Sequence, residues 1–142
     1  MITREPIDLA KLIRTAGSPD AGACSVFVGT VRNVNDGRAV LRIEYSAYEA
    51  MAETELAGIV AEAADSFDIT ALVVEHRIGT LELCDASVAV VSAAPNRNAA
   101  IACTTYVIDE IKKRVPIWKL EHYADGSREW VDPTNAAPKA AV

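Results

Sequence analysis

Four cations stand within eight residues at Lys112-Lys113-Arg114-Val115-Pro116-Ile117-Trp118-Lys119, in a chain of 142 residues whose net charge is −6. Concentrated positive charge in an acidic protein implies a local anion site: a phosphate, a carboxylate or an acidic partner. Pro116 separates two kinds of backbone, so Lys112 and Lys119 project from different elements toward a shared space. Lys112 lies at the edge of an apolar helical stripe, following Ile101, Thr105 and Ile108. Burial of its stem and the neighbouring Lys113 and Arg114 would both lower its pKa toward usefulness in proton transfer. The ordinary alternative is helix capping, because a helix C-terminus favours cations. Lys119 follows Trp118 in a strand pattern, where capping is not available, although a surface lysine is a second reading.

Other cations sit at element ends. Arg32 closes a strand behind Gly29-Thr30-Val31, where glycine allows close approach of a ligand; it could equally be an edge-strand charge that blocks aggregation. Asn96-Arg97 follow Pro95 at a helix start, whose free N–H groups suit an anion, while Asn96 also fits a simple N-cap. Together Arg32, Arg97, Lys112 and Lys119 outline a phosphate-grade pocket. His76 in its strand pattern reads as a structural hydrogen-bonding group. The three cysteines, Cys24, Cys84 and Cys103, lie far apart and have no neighbouring histidine. They fit neither a disulfide framework nor a CxxC metal site, and point to a reducing cytoplasm. No metal and no cofactor are expected. One cationic cluster in an acidic chain argues against nucleic acid, and no apolar run approaches a membrane span or a signal peptide.

The elements that must position these residues follow from periodicity. A first helix starts near Pro6, buries Leu9, Leu12, Ile13 and Ala16, and stops at Gly17. Residues 23–32 and 40–48 read as a strand pair around the turn chemistry of 33–38. Ala52, Leu56, Ile59, Val60, Ala63 and Phe67 define a long helix over 49–67. Residues 70–83 and 86–94 are two strands joined by Cys84-Asp85. A third helix spans 97–114 on a stripe of Ala100, Ile101, Thr104, Val107, Ile108 and Ile111, ended by Pro116. Residues 118–123 and 128–131 form a last hairpin. The expectation is one α+β domain over 1–131 with a disordered tail over 132–142.

At this level of detail the chain resembles the large, catalytic subunit of molybdopterin synthase. The resemblance is carried in order by Phe27-Val28-Gly29-Thr30-Val31-Arg32-Asn33, His76-Arg77-Ile78-Gly79, Ser92 to Arg97, Tyr106-Val107-Ile108-Asp109 leading to Lys112, Val115-Pro116-Ile117-Trp118-Lys119, Asp125-Gly126 and Trp130-Val131. It covers residues 5 to 132. It implies an α/β hammerhead-type domain with an additional antiparallel β subdomain, and a homodimer of large subunits. Each would bind a small ubiquitin-like sulfur-carrier subunit, giving a heterotetramer. The carrier's C-terminal Gly-Gly thiocarboxylate would deliver sulfur to cyclic pyranopterin monophosphate, forming the molybdopterin dithiolene. That makes the chain a sulfurtransferase of molybdenum cofactor biosynthesis. By the resemblance, Lys112 and Lys119 are the catalytic pair. Thr30, Val31, Arg32, Asn96, Arg97, Lys112, Lys119, Leu120 and Glu121 hold the substrate, with the neighbouring large subunit completing the pocket. The family's His-Arg is Asn96-Arg97 here, and asparagine cannot carry a proton near neutral pH. A catalytically weakened paralogue that only binds an anion or the carrier is therefore the alternative, and a purely structural subunit a third. Cys84 also takes a turn position where the family often has glycine.

Overall fold

The computed structural model describes residues 1–131; the tail expected over 132–142 lies outside the described residues. Two sheets divide the chain. The first is ordered β1-β5-β7-β2, formed by β1 (Ile2–Thr3), β5 (Ala71–Arg77), β7 (Ala86–Ala94) and β2 (Ala23–Thr30). β7 pairs antiparallel with β2 on one side and β5 on the other, while β1 runs parallel to β5. Strand β7 is apolar along nearly its whole length because both its faces are covered. Ala89, Val91 and Ala93 meet Leu12 and Ala16 of α1 (Leu9–Ala16). Val88 and Val90 point the other way, into the core shared with α2 (Glu49–Ser66) and α3 (Arg97–Arg114).

The helices have local causes. The Asp8 side chain caps α1 by accepting from the Lys11 N–H at 3.1 Å, so the helix starts at Leu9, three residues after the Pro6 expected from the sequence. Helix α2 buries Ala52, Leu56, Ile59 and Ala63 at helical spacing. Helix α3 buries Ala100, Cys103, Thr104, Val107 and Ile111. Ile101, placed in this stripe from the sequence, is exposed, because the stripe turns toward Cys103 instead. Arg114 ties the two helices together through Glu55 at 3.2 Å and Glu62 at 2.5 Å.

The second sheet is ordered β3-β4-β8-β9, with β6 also on β4. Its strands are β3 (Val34–Asn35), β4 (Arg38–Ala47), β6 (Gly79–Glu82), β8 (Ile117–Tyr123) and β9 (Arg128–Val131). Val31, Val40, Ile43, Leu81 and Tyr123 form its small core. The single strand expected over 70–83 is thus two strands. Gly79 has φ +99°, a conformation that strains any residue with a Cβ, and there the chain leaves the first sheet for the second. The buried positions run Val74, His76 and Ile78 before the break and Leu81 after it, so the inward parity switches at Gly79.

Candidate active site

Lys112 and Lys119 reach one cleft, from the last turn of α3 and the third residue of β8. Val115 and Pro116 separate those elements, and the Val115 N–H still donates to the Ile111 carbonyl before the chain turns into β8. The cleft encloses about 240 Å³ between the two sheets. Its polar lining includes Thr30, Arg32, Asn35, Lys112, Lys119 and Glu121. An adjoining cavity of about 40 Å³ shares Tyr45, Ser87 and both lysines, and adds His76.

The two lysines have different surroundings. The Lys119 ammonium lies 3.1 Å from Glu121 Oε1. Glu121 is 1% exposed, and its Oε2 accepts from the Asn35 amide and the Tyr123 hydroxyl, both at 2.7 Å. Burial alone would raise the Glu121 pKa; the bonds from Tyr123, Asn35 and Lys119 outweigh it and hold the carboxyl below its usual range. Lys112 has no ion-pair partner among the described residues. Solvent reaches its side chain through the cleft mouth, yet protein crowds its ammonium enough that burial lowers the pKa, with Lys119 adding to the effect. The direction and the leading cause, burial, match the sequence expectation, but the neighbouring cation is Lys119 rather than Lys113 or Arg114. Lys113 turns to Glu110 at 3.4 Å and Arg114 to the acids of α2, so neither presses on Lys112.

Strand alternation sorts the remaining candidates. Thr30, Arg32 and Glu121 line the cleft. Val31 and Leu120 are buried on opposite strand faces, Val31 in the small core, so their side chains do not line it. Gly29 lines the cleft, but its missing side chain is needed elsewhere: a Cβ there would stand 2.8 Å from Val88 Cγ1. Asn96 caps α3, its Oδ1 accepting from the Ala99 N–H at 3.3 Å. Fifteen residues of helix separate Arg97 from Lys112, roughly 22 Å at the usual rise. Asn96 and Arg97 therefore do not share the lysines' cleft within one chain.

The profile of the MoaE protein family matches residues 2–114. A molybdopterin synthase catalytic subunit from Bacillus subtilis is 39% identical over 130 residues, spanning 92% of this chain and 82% of the relative. The chain belongs to the MoaE family. Molybdopterin synthase from Staphylococcus aureus superposes with a TM-score of 0.87 at 35% identity, over 92% of this chain and 94% of that one. A complex of subunits 1 and 2 of the molybdopterin-converting factor from Helicobacter pylori gives a TM-score of 0.75 at 25% identity, covering 92% and 88%. The mixed α+β architecture expected from the sequence is thus that of MoaE.

Within this MoaE cleft four residues escaped the sequence reading as site residues: Asn35, Tyr45, His76 and Ser87. For His76 a signal existed. It keeps the inward parity of Val74 two residues before it, so it had to face the core or a cavity. Among the described residues no group of three or more His, Cys, Asp or Glu is placed to hold a metal ion.

Proposed function

We propose that this chain is the catalytic subunit of a molybdopterin synthase, moving sulfur from the thiocarboxylate of a small carrier protein to cyclic pyranopterin monophosphate. The observation that carries this is the convergence of Lys112 and Lys119 on one cleft with Arg32, one lysine anchored by a buried carboxylate and the other without one. Such a cleft can hold two anions, the carrier's tail and the substrate phosphate. Arg32 supplies a planar fork suited to phosphate. Lys119, fixed by Glu121, stabilises negative charge at the carrier's carbonyl during transfer. Lys112, whose ammonium is destabilised, exchanges a proton with the oxygen that leaves the pterin. A dithiolene carries two sulfurs and each thiocarboxylate brings one, so two carriers must visit for each product.

Asn96 and Arg97 enter the scheme from a second copy of the chain, at the phosphate end of the neighbouring cleft, giving a dimer with two carriers. The cytoplasm is the compartment that suits three free thiols. Reconstitution with a thiocarboxylated carrier and pterin substrate is the test. Wild-type protein is expected to give product, Lys119→Ala to lose at least about a hundredfold in turnover with carrier binding retained, and Lys112→Ala to lose a similar factor with the fold intact. No product above background would leave the anion- or carrier-binding module as the better reading. Unfolding of Lys112→Ala would return that residue to a capping role.

A further inference from the structure

His76 lies 7% exposed on β5, with its ring edge-to-face against Tyr45 at 5.5 Å. Its Nδ1 sits 2.9 Å from the Arg77 carbonyl oxygen. A carbonyl only accepts, so Nδ1 carries the hydrogen and Nε2 is left as an acceptor. The Nε2 atom has no hydrogen-bond partner among the described residues. The ring borders the 40 Å³ cavity together with Lys112 and Lys119, and no carboxylate lines that cavity.

We propose that His76 is a positioning residue for Lys112: its neutral imidazole offers Nε2 to the Lys112 ammonium, directly or through one water, and keeps it in the cleft without neutralising it. The cavity has room for such a water. The chemistry explains why an imidazole stands here. A carboxylate would pair with Lys112 and favour its charged form, whereas an apolar side chain would leave the ammonium without an acceptor. Each surrounding element agrees. Lys112 of α3 and Lys119 of β8 approach as cations, and Glu121 behind Lys119 is already engaged. From β1 the N-terminal ammonium donates to the Val74 carbonyl at 2.8 Å, with Glu53 of α2 and Glu75 of β5 in its field. Arg77 of β5 faces Asp85 at 3.6 Å, β4 contributes the Tyr45 ring, and β7 contributes the Ser87 hydroxyl. Burial pushes His76 down to about 4; the Arg77 carbonyl opposes this, and Lys112 and the N-terminal ammonium add to it. The ring is therefore uncharged at neutral pH.

This inference rests on the reading of Lys112 as the proton-exchanging lysine, and its test has one part that does not. Imidazole 15N NMR of the free chain needs neither carrier nor pterin. It is expected to show His76 as the Nδ1–H tautomer, and its titration should move to higher pH in Lys112→Met, where the nearby cation is gone. An Nε2–H tautomer, or a His76 titration indifferent to Lys112→Met, overturns the proposal whether or not the protein transfers sulfur. The second part is the pH profile of reconstituted sulfur transfer. His76→Asp should shift the Lys112-dependent limb to higher pH by about one unit, as expected for an added adjacent carboxylate, while His76→Asn leaves it in place. Coincident profiles for wild type and His76→Asp, differing only in amplitude, would mark His76 as structural. Absence of transfer by wild-type protein would instead count against the proposed function, with the NMR result still standing.

Discussion

Glu121 shows how one side chain can matter to chemistry it does not perform. Both its oxygens are engaged inside the protein, Oε1 by Lys119 and Oε2 by Asn35 and Tyr123, so it acts through Lys119. Glu121→Gln keeps the shape and removes the charge. Turnover is expected to fall roughly ten- to hundredfold, as for a displaced reacting group, with KM for the pterin little changed. Steady-state kinetics on reconstituted enzyme would check this; a rise in KM at constant kcat would show instead that Glu121 holds substrate. At this scale the two lysines were legible, because a proline between cations forces two elements to meet. That the side chains of Val31 and Leu120 do not line the cleft was not legible, for the opposite reason. A matched segment includes both faces of its strand, and only pairing decides which face lines the cleft.

Elements were legible wherever a face is half-buried, and blurred wherever the chain changes sheets. The turn from β6 into β7 places Cys84 at φ +73°, in the left-handed region that costs a residue with a Cβ about 1–2 kcal/mol. Its N–H donates to the Val31 carbonyl at 2.8 Å, and the Val31 N–H donates to the Asp85 carbonyl at 3.0 Å, so the turn cannot relax away from that geometry. Cys84→Gly should therefore stabilise the protein by about 0.5–1 kcal/mol, after glycine's larger loss of backbone freedom is subtracted. Urea denaturation would measure it, and a lower midpoint for the glycine variant would refute the strain. Helix α3 teaches the complementary lesson. Its length is obvious from the sequence, and that same length keeps Arg97 out of the cleft that Lys112 enters.

At the scale of the whole molecule, burying His76 beside two lysines couples folding to pH. Its folded pKa of about 4 lies below the ordinary 6.5, so between those values the unfolded chain binds the extra proton. Stability contributed by the neutral ring is complete above pH 6.5 and is lost as pH falls toward 4. The loss between pH 6.5 and pH 4.5 should be about 2 kcal/mol. The depressed carboxyls of Glu49, Glu62 and Glu121 act mostly below this window, since their ordinary value is 4.5. Urea midpoints at the two pH values are expected to separate in wild type and to converge in His76→Asn. Equal separation in both would assign the acid sensitivity elsewhere.

The sequence by itself determined the helices, most strands, the proline-divided lysine pair and the family, because local periodicity, turn chemistry and residue order are written along the chain. Only the tertiary structure decided which neighbour each charge meets. It gave Lys119 a buried carboxylate and Lys112 an uncharged imidazole, turned Arg114 away to α2, and set Arg97 a helix length from both lysines. Those pairings join residues dozens of positions apart, and their distances are fixed by sheet register and helix packing, which no local pattern encodes.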